Sequence, residues 1–243
     1  NKLKQARKLA LTGIRPMVYG HQGQGVAKTF IMKVRIMITL ALNIRKPYGC
    51  ATVAYATSQY SNYDPAITLP VEVIQTFTEV FKKCPLRLAI FGQWHSLLKS
   101  LITKQTRWAR ARGPISGTIA TLLDRRWVPS SPTTWTDDRC DKWSLNYDSP
   151  MLLGGIHEAV TQSIKRQQWV HAAGHTHGKG IEEGIDTTPI AHLRRAWEAA
   201  GSHQQLYWMD AIAQGSMPLF LRAAFGQKCP HCEALFEQPG DLW

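Results

Sequence analysis

Acidic residues are scarce in the first half of this chain. Residues 1–113 hold 18 Lys and Arg but only 3 Asp and Glu, whereas residues 114–243 hold 11 against 14. The formal net charge is +12 and the pI about 9.7. Positive charge concentrated ahead of Gly113 favours an anionic partner and sets an expected boundary there. Long apolar runs are also missing. The most hydrophobic window, 30–44, is interrupted by Lys33 and Arg35 and falls short of the roughly 20 apolar residues of a spanning helix. No membrane partner is therefore expected. Cysteines number 5, and only Cys229 and Cys232 lie close together. That excludes a secreted disulfide framework and points to a reducing, intracellular compartment. Cys50, Cys84 and Cys140 read as small buried apolar side chains. The chain opens on Asn1 without a charged-then-apolar leader, as expected of a fragment.

The first half reads as a series of helices. Residues 3–11 form a basic amphipathic piece ended by Gly13 and Pro16. The stretch Gly20-His-Gln-Gly23-Gln-Gly25-Val-Ala-Lys28 is glycine-rich, but two residues separate Gly25 from Lys28. A phosphate-binding loop needs its lysine directly after the last glycine, so a turn leading into a helix is expected instead. A long helix follows over 24–45, with Val26, Phe30, Val34, Met37 and Ala41, and likewise Ile31, Ile38 and Leu42, near helical spacing. A further helix is expected over 50–59, and a turn at Asp64-Pro65. Pro70 opens a helix with Val71, Ile74, Phe77 and Phe81 inward. The next, 86–103, carries Leu88, Phe91, Trp94, Leu98 and Leu101 at core spacing.

Lys99, Lys104, Arg107, Arg110 and Arg112 surround Trp108, and the nearest carboxylate in sequence is Asp124. Arginines with an exposed aromatic suit a nucleic-acid backbone and a stacked base. Lys28 and Arg35 join this run as candidate contacts. The competing reading is a solvated helix end with Trp108 folded into the core.

Gly113-Pro114 breaks the chain before a short helix over 115–126, which Pro129 and Pro132 stop. A hairpin over 133–136 and 142–145 carries Trp135 and Trp143, joined by the polar run Asp137–Asp141. Asp137 and Asp138 resemble a polymerase metal pair only superficially. They lack strongly apolar flanking strands and a third upstream aspartate, and read as turn residues. A long helix over 149–173 buries Leu152, Ile156, Val160, Ile164 and Trp169 and turns Lys165 and Arg166 to solvent. His171, His175 and His177 follow, but Gly174 interrupts the helical spacing that would aim two imidazoles at one metal. Glu182, Glu183 and Asp186 cap the next helix, expected over 187–200, and further helices are expected over 203–213 and 217–225. Near the end, Cys229-Pro-His-Cys232 is half of a tetrahedral zinc site.

The order of Gly113-Pro114-Ile115 with Gly117, Arg126-Trp127, Ser131-Pro132 with Trp135, Trp143, Ser149-Pro150, His175-Thr-His177-Gly178-Lys-Gly180 with Glu183-Gly184, and Cys229-Pro-His-Cys232 resembles the region downstream of the palm in non-LTR retrotransposon reverse transcriptases. Pro16-Met-Val-Tyr19-Gly20 and the basic helices after it resemble the start of the thumb in the same polyproteins. The resemblance spans nearly the whole chain. It implies a basic helical thumb-like region (1–113), a hairpin-and-helix connector (114–226) and a partial zinc-knuckle tail (227–243).

The expected fold class is therefore mainly α: a basic helical bundle, then a small β-hairpin and further helices. As the resemblance implies, the chain grips an RNA template or RNA/DNA duplex beside the remaining polymerase domains of one polypeptide, itself an RNA-directed DNA polymerase. It performs no catalysis. Zinc would sit at Cys229 and Cys232 with further ligands from outside the chain, and magnesium would belong to the missing palm. The expected location is the nucleus, with passage through the cytoplasm. The alternatives are a stand-alone binding or scaffold protein using a Trp-rich second half, a hydrolase or nuclease built on His171, His175, His177 and Glu182 or Asp186, and a decayed open reading frame.

Overall fold

The computed structural model describes residues 2–45, 49–103, 105–145, 149–174 and 179–214, without the side chains of 2, 3, 14–17 and 150. Over these residues the fold is mainly α with one small antiparallel sheet. Among them no helix is long and apolar enough to cross a membrane. Two compact units emerge: one built from 1–38 and 63–167, the other from 39–62 and 168–243.

The first unit begins with α1 (Lys2–Met17), which runs on through Gly13 and Pro16 rather than stopping there. One turn, α2 (His21–Gln24), leads to α3 (Lys28–Leu42). α3 starts later than the expected 24–45, and its inward stripe is Ile31, Val34 and Ile38. Phe30 and Met37 are exposed. α3 is apolar on two sides, so its pattern alone does not choose between them.

Asp64 caps α5 (Pro65–Lys83) by accepting the Ala66 N–H at 2.9 Å, with Pro65 in the first turn. The helix thus starts five residues before Pro70, which lies inside it. α6 (Arg87–Leu101) buries Trp94 and Leu101, while Leu88 is 88% and Phe91 41% exposed. Trp94, Leu98 and Leu101 of the expected set do pack on the core, but Ile90 and Leu97 join them in place of Leu88 and Phe91.

α7 (Arg107–Arg110) and α8 (Pro114–Asp124) follow. α8 ends before any proline. Arg126 adopts φ 62°, and the N–H groups of Arg126 and Trp127 return to the carbonyls of Leu123 and Leu122 at 3.1 and 3.0 Å. This is a left-handed helix stop normally given to glycine.

The sheet has one strand more than the expected hairpin: β1 (Val128–Ser131), β2 (Thr134–Thr136) and β3 (Lys142–Ser144), in that order. Pro129 is tolerated because β1 is an edge strand, and its carbonyl accepts the Trp94 indole at 2.8 Å. Trp135 pairs with Trp143 in register. The first part of α9 (Pro150–Ala173) closes the core with Ile156, Val160 and Ile164.

One hydrophobic cluster therefore joins Ile74, Phe77, Phe81, Trp94 and Leu101 to Ile119, Leu122, Trp127, Trp135 and Ile164. It crosses the expected boundary at Gly113, so the charge step does not divide two cores. Each core indole finds an acceptor, as buried Trp requires: Trp127 on Ser163 Oγ at 2.8 Å, Trp135 on Ser131 O at 3.1 Å. Asp137 and Asp138 are structural. Asp137 takes the N–H groups of Arg139 and Asp141 and the Trp143 indole, and Asp138 meets Ser163 and Arg166. Arg166 is thereby held to the sheet rather than free in solvent. Burial alone would raise the Asp138 carboxyl, but the bonds from Arg166 and Ser163 prevail and hold it below the usual range. Cys140 is exposed at φ 70° and Cys50 and Cys84 are only partly covered, so none of the three is fully buried.

The second unit contains the end of α3, α4 (Ala51–Ala56), the last residues of α9, α10 (Thr188–Ala199) and α11 (His203–Ala213). Gln214 ties it together, donating to Ile44 O at 2.8 Å and accepting from the Cys50 N–H at 3.0 Å. Arg194 and Asp210 join α10 to α11. Asp186 accepts the Thr188 N–H at the start of α10, the capping role expected of it. His175, His177 and the helix expected over 217–225 lie outside the described residues.

Two outcomes follow from these local arrangements. Arg126→Gly removes the cost of a left-handed side-chain-bearing residue and should raise stability by about 1 kcal/mol in urea titration. His157 is pushed below the ordinary histidine range by burial, against the pull of Glu79. The folded state then favours the neutral ring. Its contribution is complete above pH of about 6.5 and is lost as pH falls through the lowered folded value. His157→Gln should therefore show a smaller drop in urea midpoint between pH 7 and pH 5 than the parent chain.

Candidate nucleic-acid interface

The basic run between α6 and α8 is organised by helix ends. The last carbonyls of a helix lack intrahelical partners and favour cations. At the end of α6, Arg107 Nε donates to Leu101 O at 2.9 Å and Nη2 to Ile102 O at 3.2 Å. Arg110 Nη1 donates to Ser100 O at 3.1 Å. Arg107 also pairs through Nη1 with Asp124, and the other Asp124 oxygen accepts the Trp108 indole at 2.8 Å. The carboxylate that is 17 residues away in sequence thus sits directly against the basic run.

Two expected contacts turn inward. Arg107 is 6% exposed, so it caps α6 instead of presenting charge. Arg35 is 3% exposed and grips Asp64 with two bonds, Nε to Oδ1 at 3.0 Å and Nη2 to Oδ2 at 2.6 Å. The exposed stacking ring expected at Trp108 is likewise absent. Its indole is held by Asp124, and a Cβ on Gly25 would lie 2.9 Å from its six-membered ring. The same loop crosses α8 at Gly117, where a Cβ would lie 2.4 Å from Gln24 O. Only glycines permit this backbone contact.

The remaining expected contacts stay outside. Lys28, Lys99, Arg110 and Arg112 are exposed. Arg110 reaches the residue next to Lys99, and the Arg112 N–H and carbonyl both engage Ser116 Oγ, at 2.8 and 2.7 Å, fixing the chain into α8. The packing of Gly25 on Trp108 brings the start of α3, with Lys28, towards the same side. Lys104, Cys229 and Cys232 lie outside the described residues. Among the described residues no group of three or more His, Cys, Asp or Glu is placed to hold a metal.

Sequence reasoning missed a third buried guanidinium. Arg125 is 6% exposed, and burial lowers its pKa against the opposing pull of Asp124 and then Asp64. Elsewhere in the unit His21 Nε2 meets Glu72 Oε2 at 2.8 Å. No family model, curated protein or solved structure matches the chain.

Asp124→Ala should cost about 3–5 kcal/mol in urea denaturation, because it leaves the buried Arg107 guanidinium without its counter-charge and the Trp108 indole without its acceptor. Lys99→Ala, which removes only a surface charge, should stay within about 0.5 kcal/mol.

Proposed function

We propose that this chain is a nucleic-acid-binding thumb and connector segment of a retroelement reverse transcriptase, holding an RNA template or RNA/DNA duplex without bond chemistry of its own. One observation carries the reading. Of the four carboxylates in and beside the basic half, Asp64, Glu72 and Asp124 are engaged by Arg35, His21 and Arg107 and Glu79 is exposed, whereas Lys99, Arg110 and Arg112 all stay exposed within one short stretch of the chain. Neutralising phosphates with such a cluster releases counterions and yields affinity that falls with salt. The polymerase palm, its magnesium and a completed zinc site belong to the rest of the polypeptide in this reading, and zinc would engage Cys229 and Cys232. A nuclear location goes with the same proposal.

The scaffold alternative draws less support. Its Trp-rich half would have to offer tryptophans to a partner, and among the described residues no tryptophan is exposed.

The test is binding of an RNA/DNA duplex across a salt series. The parent chain should lose affinity linearly in log salt. Replacing Lys99, Arg110 and Arg112 together by alanine should lower that slope by about three, one per phosphate contact. A salt-independent affinity, or a slope unchanged by the triple replacement, would reject the proposal.

A further inference from the structure

The loop that crosses Trp108 also borders an open surface cavity of about 270 Å³, lined among others by Val18, Tyr19, His21, Gln24, Val26 and Phe30. That volume lies below the roughly 300–1,000 Å³ of pockets that take whole drug-sized ligands, so it suits a single ring system. We infer that this cavity receives one unpaired nucleobase, stacked by Tyr19 and read at its edge by Gln24. The assignment rests on the nucleic-acid reading above and adds to it a site for the base rather than the phosphate.

Three features converge on it. Tyr19 is 94% exposed and Phe30 42% exposed, so two aromatic rings stand uncovered at one small cavity. Bases stack on such rings whatever their sequence. Tryptophan does not supply this surface, since each described tryptophan is at least partly covered.

The floor of the cavity is fixed. His21 Nδ1 meets Val18 O and Nε2 meets Glu72 Oε2, each at 2.8 Å, so the imidazole is engaged at both ends and leaves recognition to other groups. Gln24 is exposed, and an amide offers both a donor and an acceptor to a base edge.

The third feature is continuity with the cationic cluster. Gly25, at the cavity lip, packs on Trp108, two residues before Arg110 and four before Arg112. Lys28 lies three residues beyond Gly25 and is exposed. The Gly25–Trp108 contact thus joins the cavity lip to the chain segment that carries Arg110 and Arg112.

The experiment uses the full 243-residue chain and a 12-nucleotide single-stranded oligonucleotide carrying one 2-aminopurine. An abasic oligomer of the same length and charge serves as the comparison. The parent chain should quench 2-aminopurine on binding and should bind the abasic oligomer about ten-fold more weakly. Tyr19→Ala, which removes an exposed ring, should abolish the quenching and weaken the base-bearing oligomer by roughly ten-fold while leaving the abasic one unchanged. Gln24→Ala should reduce discrimination among bases. Should Tyr19→Ala bind and quench like the parent while the Lys99, Arg110 and Arg112 replacement still loses affinity, the pocket is overturned and the interface stands. If neither replacement changes binding and salt has no effect, both are overturned.

Discussion

A guanidinium keeps its proton inside a protein, so an arginine taken into the first unit favours a carboxylate close by. Arg35, Arg107 and Arg125 are all buried there, and Asp64 and Asp124 are the groups within reach. Asp64 holds α3 to the start of α5, and Asp124 holds α7 to the end of α8. Arg125 lies within the field of both. Three cations and two anions share the interior: Arg35 and Arg107 are bonded to a carboxylate, Arg125 Nε is buried without a hydrogen-bond partner, and moving either carboxylate would leave a second buried cation uncompensated.

This interior arrangement has an electrostatic counterpart outside. Asp64, Glu72 and Asp124 are taken up as partners for buried arginine and histidine, and of the carboxylates in the basic half Glu79 is the one left exposed. Lysines and the outer arginines are left at the surface. The tryptophans are drawn in as well, each core indole bonded to a carbonyl or hydroxyl. Positive charge faces outward with Tyr19 and with scattered apolar side chains such as Leu86 and Leu88, and the charge suits a polyanion. The retroelement reading adds a biological setting to that surface and is a proposal of a different kind.

Much of the secondary structure was legible in the residues. Ser149-Pro150 before α9, Pro189 in the first turn of α10 and the strands around Trp135 and Trp143 follow from capping and alternation. The failures have physical causes. α6 and α3 carry apolar residues on more than one side, so helical spacing admits two registers, and only the partner helices select one. β1 was hidden because Pro129 reads as a breaker until an edge position is known. The stop at Arg126 was hidden because a left-handed stop is expected at glycine. The boundary at Gly113 was inferred from charge, which reports on surface, whereas units are defined by a shared core. The candidate site was half legible. Composition located the cationic stretch, but whether a given arginine points out or in depends on a carboxylate delivered by folding, as Arg35 and Arg107 show.

Arg110 illustrates how helix architecture can prepare a side chain for a ligand. Its guanidinium is tethered to the final turn of α6 through Ser100 O, and one donor of five is so engaged. Much of its rotameric freedom is already lost in the unliganded molecule. An anion arriving there meets donors of settled orientation, and the entropic loss on association is smaller than for an untethered lysine. The orientation of the Arg110 donors is thus set by the way a helix ends.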